Sequence, residues 1–209
     1  MRSIRRIAIT VMLLAGIAPL YAGYNVYLRA GALATYTTNV FSSPLPHSPS
    51  SDLLKRFDAG AYTDADLFFA DEGRTGLSLS FLYSYPLDAE SVNKSTAQAY
   101  DSTDEQDSAF FLSIGPIFRA QIGKADFGAA IRLSIGSYSH FSSSFNLSLQ
   151  IEPYVMYPIS GDSFFINAGM LYTAHFYDFL LEDEKNFYSK DFFMLSAGAY
   201  VGFSYKWSI

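Results

Sequence analysis

The sequence predicts an all-β fold, namely an eight-stranded antiparallel transmembrane β-barrel. Its segments alternate apolar with small or polar side chains, and this period of two indicates strands with one apolar face. The connections between the segments alternate between long and short, which is typical of membrane barrels with short turns at one end and longer loops at the other. Aromatic residues make up 17% of the chain, a content that suits aromatic girdles at two lipid interfaces.

The N-terminal residues 1–22 have the features of a secretory signal peptide. A basic start is followed by an apolar run over 7–20 and by the small Ala22 before a predicted cleavage at Gly23. The apolar run is shorter than the ~20 residues that a membrane-spanning helix needs. We therefore expect residues 23–209 to form a single β-barrel domain.

The composition excludes several classes of site. The formal charge is −6, and loss of the three arginines of the signal peptide changes it to −9, so the chain is a poor candidate for binding nucleic acid. The absence of cysteine excludes disulfides and lipoprotein processing. The three histidines, His47, His140 and His175, lack the ligand spacing of a metal site, so neither a metal nor another cofactor is predicted.

The first four predicted strands cover residues 24–37, 57–69, 75–85 and 109–122. The first strand has an apolar row that begins and ends with Tyr, and the second is weaker because three Asp occupy its other face. A loop rich in Pro and Ser is predicted at 38–56, and a tight turn with the sequence Asp-Glu-Gly-Arg at 71–74. A long polar excursion with six carboxylates is predicted at 86–107.

The last four predicted strands cover residues 125–138, 145–157, 163–177 and 191–209. Short turns at 123–124 and 160–162 alternate with loops at 139–144 and 178–190. In the final strand the apolar row continues without a charge through every second residue from Phe193 to Ile209. In water such a strand would favour edge-to-edge aggregation, whereas in a membrane barrel the row faces lipid.

This pattern resembles the small eight-stranded bacterial outer-membrane β-barrel proteins of the OmpA, OmpX and OmpW kind over residues 23–209. The closing strand of that family usually finishes on an aromatic residue, whereas here Trp207 precedes a terminal Ile209. The resemblance implies a location in the cell outer membrane, with the N- and C-termini in the periplasm. It also implies two partners, outer-membrane lipid and the barrel-assembly machinery that acts during insertion.

Aromatic residues near the ends of the outward rows are predicted to lie at the lipid interfaces: Tyr24, Tyr36, Tyr83, Tyr85, Phe203, Tyr205 and Trp207. On the first strand, Tyr24 and Tyr36 are 12 residues apart. At ~3.3 Å per residue and a tilt of about 40°, their rings are about 30 Å apart along the membrane normal, which matches the hydrocarbon thickness.

The inward rows contain charges of both signs, which are predicted to form a network in the lumen: Arg29, Asp64, Asp66, Arg119, Arg132, Glu152 and Lys206. The interior of an eight-stranded barrel is just wide enough to be filled by side chains, and a buried charge without a partner is costly. We therefore expect a polar core that plugs the barrel, with a narrow path for ions as the alternative. Apolar inward residues either fill this core or line a small cavity for an apolar solute: Leu33, Leu82, Ile117, Met156, Leu171 and Met194.

The predicted function is a structural or surface-interaction role, in which acidic loops present a surface to a host or matrix ligand and no residue is catalytic. The longest loops carry the unusual composition, although acidic runs such as 182–184 are also typical of solvated loops. Three alternatives stay open. They are a narrow channel or binding barrel for small solutes, a lipid A-modifying enzyme with Ser139 and His140 as candidates, and a soluble lipocalin-like barrel.

Overall fold

The computed structural model describes residues 24–39, 51–69, 74–93, 96, 98–105, 108–138, 144–180 and 194–208. The predicted signal peptide and the Ser139–His140 pair lie outside these residues. The strands of the described part are β1 Tyr24–Asn39, β2 Ser51–Phe69, β3 Thr75–Asn93, β4 Gln98–Asp101, β5 Ala109–Ile122, β6 Ala125–Tyr138, β7 Ser144–Ser160, β8 Phe164–Leu180 and β9 Met194–Ser208. One turn of 3-10 helix, Thr103–Glu105, follows β4.

Eight of these strands form a closed antiparallel ring in the order β1-β2-β3-β5-β6-β7-β8-β9. The ring closes because β9 pairs with β1, from Asn25 opposite Ser208 to Asn39 opposite Met194. This confirms the prediction of an eight-stranded antiparallel β-barrel. Within the described residues, no helix has the length and apolar character needed to cross a membrane.

The alternation of side chains along each strand separates a polar lumen from an apolar outer surface. On β6, Ile131 and Leu133 point outward with 42% and 52% of their surface exposed, whereas Arg132 between them is 1% exposed. Successive residues of a strand point to opposite faces, so a period of two in polarity becomes a polar inside and an apolar outside once the sheet closes.

The two ends of the barrel differ in their connections. We call the end with the connections at 70–74, 123–124 and 161–163, where β1 begins and β9 ends, the turn end, and the opposite end the loop end. Gly123 and Gly161 have φ angles of +65° and +57°, a left-handed conformation that glycine adopts without steric cost. These glycines allow the chain to reverse between β5 and β6 and between β7 and β8 within very few residues.

The prediction was wrong for the segment after residue 85. Instead of a polar excursion at 86–107, β3 continues to Asn93, and β2 begins at Ser51 rather than at residue 57. The short strand β4 then pairs with the end of β3. Residues 51–56, 88–93 and 98–101 thus form a three-stranded sheet beyond the loop end, which we call the outer sheet.

Breaks in the strand register explain why the pattern of alternation missed the outer sheet. The pairing of β2 with β3 shifts between Leu53 and Lys55 and again between Phe57 and Asp58. At the second shift the neighbouring residues Leu87 and Asp88 are both exposed. A β-bulge adds a residue to one strand and interrupts the period of two, so a strand that continues through bulges resembles a loop in its sequence.

Candidate functional site

The centre of the lumen holds a cluster of buried charges, which we call the central cluster: Arg29, Asp64, Asp66, Arg132 and Glu152. The strand register brings these residues to a similar height, since Arg29 of β1 lies directly opposite Asp64 of β2. Two guanidinium groups face three carboxylates. All five side chains are at most 2% exposed, so each depends on its neighbours in the protein for compensation of its charge.

Arg29 is the hub of the central cluster because it contacts all three carboxylates. Its Nε lies 2.6 Å from Asp66 Oδ2, its Nη2 2.8 Å from Asp64 Oδ2, and its Nη1 2.6 Å from Glu152 Oε1. Arg132 donates from Nη1 to Glu152 Oε2 and from Nε to Ser78 Oγ at 2.9 Å. Glu152 therefore bridges the two arginines through its two oxygens.

Tyrosine side chains complete the central cluster. The Tyr200 hydroxyl donates to Glu152 Oε1 and accepts a hydrogen bond from Arg29 Nη1 at 2.9 Å. The Arg29 guanidinium carbon lies 4.6 Å from the centre of the Tyr154 ring, within cation–π range. The ring centres of Tyr62 and Tyr200 are 4.4 Å apart. The predicted charge network did not include these tyrosines.

Glycines on neighbouring strands make room for these tyrosines. Gly128 lies opposite Tyr154 in the register of β6 and β7, and Gly169 lies opposite Tyr200 in that of β8 and β9. A Cβ atom on Gly128 would stand 2.2 Å from Tyr154 Cζ, and one on Gly169 would stand 2.6 Å from Tyr200 Cζ. An inward Tyr beside an inward Gly on the next strand is thus the sequence signal for a ring that lies across the lumen.

Two of the predicted network residues, Arg119 and Lys206, lie away from the central cluster at the turn end. There Arg119 Nη1 is 3.4 Å from Asp126 Oδ2, and Arg119 also donates to the Tyr27 hydroxyl. Its guanidinium carbon is 4.6 Å from the centre of the Phe68 ring. An open basin of about 810 Å³, which we call the turn-end basin, is bordered by Tyr27, Arg119, Asp126 and Lys206.

The structure does not bring the six predicted cavity residues around one cavity. Leu33, Leu82 and Leu171 border a space of about 10 Å³, which holds no more than one water molecule. The other three, Ile117, Met156 and Met194, are also buried in the lumen but do not line that space.

Polar residues near the loop end form a second layer of buried contacts. The Arg56 Nε atom lies 2.6 Å from Asp58 Oδ1, and Ser84 donates to Asp58 Oδ2 at 3.1 Å. His175 contacts the Ser148 hydroxyl through Nδ1 at 2.7 Å and that of Ser196 through Nε2 at 3.1 Å. Arg56 was missed because it was assigned to the predicted loop at 38–56.

No group of three or more potential metal ligands comes together within the part of the chain that the structure describes.

The outer sheet has its own set of ion pairs and hydrogen bonds. Lys55 Nζ lies 2.6 Å from Glu90 Oε2, and this hydrogen-bonded pair raises the pKa of Lys55. Hydrogen bonds from the backbone amide and hydroxyl of Thr103 lower the pKa of Asp101. The Ser91 and Ser102 hydroxyls are 2.8 Å apart and buried. The sheet is therefore fixed by its own contacts beyond the rim of the barrel.

The predicted interface aromatics whose side chains are described all point outward and are exposed. They form two groups, Tyr36, Tyr83 and Tyr85 towards the loop end, and Phe203, Tyr205 and Trp207 towards the turn end. The Phe203 ring stacks on Phe164 with centres 5.6 Å apart. The side chain of Tyr24 lies outside the described part.

The structure is similar to solved outer-membrane β-barrels at low sequence identity. Neisserial surface protein A (NspA) matches with a TM-score of 0.56 and 11% identity, over 87% of this chain and 97% of that protein. OprG from Pseudomonas aeruginosa matches with a TM-score of 0.48 and 11% identity, over 89% and 96%. Ail of Yersinia pestis, in complex with the heparin analogue sucrose octasulfate, matches with a TM-score of 0.47 and 12% identity, over 89% and 99%.

The similarity to NspA agrees with the closed ring of eight strands and the outward apolar rows. The chain has the fold of a small outer-membrane β-barrel. No protein-family model matches the chain, and no curated protein matches its sequence. At 11% identity the similarity to NspA supports an assignment of the fold but not of the function.

Proposed function

We propose that this chain is an integral barrel of the cell outer membrane, with a lumen closed at mid-height and a surface-interaction role at the loop end. The observation that carries the proposal is the central cluster, in which Arg29 and Arg132 are bound by buried carboxylates. The function then lies in what the barrel presents outside rather than in what passes through it.

The outward rows support a membrane location. Large apolar side chains on every strand of the ring keep 39–65% of their surface exposed, as Phe164 and Ile122 illustrate. Soluble monomers rarely expose contiguous apolar patches above a few hundred Å². A closed barrel satisfies its backbone hydrogen bonds internally, so it can place such a surface in lipid. The short turns and both termini then lie in the periplasm, and the outer sheet lies on the extracellular side of the membrane.

The contacts of the central cluster support a closed lumen. Side chains from β1, β2, β3, β6, β7 and β9 meet there, because Arg29, Arg132 and Glu152 connect to Asp66, Ser78 and Tyr200. An ion that passed this level would have to separate buried ion pairs, and separation leaves uncompensated charges in a medium of low dielectric constant. We therefore expect no steady conductance from the intact protein.

The outer sheet supports the surface role. It and the turn after it carry exposed carboxylates at Asp88, Asp101 and Asp104, and the exposed apolar Leu87 directly precedes Asp88. This combination suits a ligand with basic groups, such as a protein of a host surface or extracellular matrix. Electrostatic attraction between exposed groups is screened by salt, so binding should weaken as ionic strength rises.

Planar-bilayer recording of the refolded protein tests the closed lumen. The wild-type protein should be silent. Steady, discrete conductance that changes in Arg132→Gln or Glu152→Gln would contradict the proposal and support the second candidate, a narrow channel. The charged lining of the lumen and the open turn-end basin are the observations that favour that candidate.

Adhesion of cells to immobilised extracellular matrix tests the surface role. The triple variant Asp88→Asn, Asp101→Asn and Asp104→Asn should bind less than the wild type. The matched control is Asp162→Asn, which removes one carboxylate at the turn end. Adhesion that is unaffected by the triple variant, or that falls equally in the control, would refute the assignment of the outer sheet.

A further inference from the structure

The turn-end basin has the size of a small-molecule site. It measures about 810 Å³ and opens towards the short turns. Pockets that bind small ligands commonly measure roughly 300–1,000 Å³ and combine apolar walls with a few placed polar groups. Here Tyr27 and Phe165 provide aromatic wall, with ring centres 5.7 Å apart, and charged side chains surround them.

The charges that the structure describes around the basin are mainly positive, in contrast to the acidic chain as a whole. Arg74, Arg119, Lys124 and Lys206 line the basin, and Asp126 and Asp162 are its described carboxylates. Four of the 14 Lys and Arg residues of a chain with a formal charge of −6 therefore surround one cavity. Positive charges clustered inside a concave wall focus the electric field and attract anions.

Lys206 adds a second, partly buried cation to the turn-end basin. Its residue is partly buried and lies opposite Tyr27 in the register of β9 and β1. Within the described ranges, Lys206 forms no ion pair within 4.0 Å, whereas the neighbouring Arg119 lies 3.4 Å from Asp126. Asp126 interacts electrostatically with both Arg119 and Lys206, so two cations share one described carboxylate, and this arrangement favours the binding of an added anion.

Arg119 is held in a defined position at the same basin. Its side chain is 9% exposed, and its guanidinium carbon lies 4.8 Å from the centre of the Tyr27 ring and 4.6 Å from that of Phe68. The Tyr27 and Phe68 rings pack edge to face, 5.5 Å apart. A cation that is already fixed by packing loses little conformational entropy when a ligand binds.

We propose that the turn-end basin is a binding site for a small polyanion with phosphate or carboxylate groups. Lys206 and Arg119 contact the anionic groups, Lys124 adds long-range attraction, and the aromatic wall packs against the body of the ligand. In the orientation proposed above, the ligand enters from the periplasmic side. The site does not depend on the surface role of the outer sheet or on closure of the lumen.

Isothermal titration calorimetry of the refolded full chain in a neutral maltoside detergent tests this site, with inorganic pyrophosphate and citrate as probes. Lys206→Gln should weaken binding about tenfold, because it removes one charge-assisted contact. Asp126→Asn should tighten binding severalfold, since it removes a competing carboxylate near Arg119. The matched control Lys55→Gln removes a cation from the outer sheet and should leave the affinity unchanged.

The opposite responses of Lys206→Gln and Asp126→Asn separate binding from a general loss of structure, which would weaken binding in both. Heat-modifiable mobility on gels shows that each variant is folded. Equal affinity of Lys206→Gln and wild type, weaker binding by Asp126→Asn, or no heat from either probe would overturn the proposal. Phosphatidylglycerol added to the micelles distinguishes two sources of the anionic group. If the lipid competes with pyrophosphate, the ligand is a lipid head group; if it does not compete, the ligand is a free polyanion.

Discussion

Glu152 is the residue whose neutralisation should destabilise the barrel most clearly. Its Oε1 atom accepts hydrogen bonds from Arg29 and Tyr200, and its Oε2 atom accepts one from Arg132. In Glu152→Gln the shape is kept, but an amide NH₂ group now faces one of the guanidinium donors. Asp64 and Asp66 still balance the charge of the two arginines, but removal of one partner from a buried, hydrogen-bonded ion pair typically costs about 3–5 kcal/mol, because the guanidinium that faces the amide keeps an unsatisfied donor.

Urea titration of the protein folded in lipid vesicles measures this loss. With a slope of about 2 kcal/mol per M, a loss of about 4 kcal/mol lowers the unfolding midpoint by roughly 2 M urea. The matched control is Glu90→Gln, which breaks the exposed ion pair with Lys55 in the outer sheet. Its midpoint should stay close to that of the wild type, since exposed ion pairs contribute little. A shift in Glu152→Gln no larger than that in Glu90→Gln would refute the view that the central cluster holds the barrel together.

Two further substitutions test the outer and inner faces. Ile131→Arg puts a charge on the lipid face of β6 and should lower the free energy of unfolding from vesicles by about 2–4 kcal/mol. Ile122→Arg, next to a turn, should lower it by about 0–1 kcal/mol. Equal losses in the two variants would contradict the membrane position. Gly169→Ala should cost about 1–3 kcal/mol, because its Cβ would displace the Tyr200 ring. Gly161→Asn, in an open turn with positive φ, should be tolerated; a larger loss there than at Gly169 would show that turn geometry, not lumen packing, limits stability.

The sequence alone predicted which face of each strand a residue occupies, and it did so because polarity alternates with the pleat. Arg132 between two exposed apolar residues is an example. It could not predict height along the barrel axis, because height depends on the register between strands that are distant in the chain. Arg29 and Lys206 share the inward face, yet the register sets Arg29 beside Asp64 and Lys206 beside Tyr27. One predicted network therefore separates into the central cluster and the turn-end basin.

The outer sheet could not be predicted for a different physical reason. Its strands continue through register shifts at Phe57/Asp58 and Leu53/Lys55, and each shift changes which residues share a face. Its polar composition also reflects a sheet that packs little apolar surface and depends on contacts such as Lys55 with Glu90. A period of two in side-chain polarity identifies strands that have lipid on one face and the lumen on the other. A strand with water on both faces gives no comparable signal.

The pairing of β1 with β9 means that the barrel cannot close before its last strand is present. Until the last strand has been made and inserted, β1 and β8 each keep an open edge, and the unpaired amide and carbonyl groups of such an edge are strongly unfavourable in hydrocarbon. The two strands that complete the ring come from opposite ends of the sequence, so closure has to wait for the slowest, most distant contact. The chain has a single tryptophan, Trp207, and it lies on the lipid-facing side of that closing strand, 60% exposed. Its fluorescence therefore reports the final event of assembly rather than an average over all eight strands.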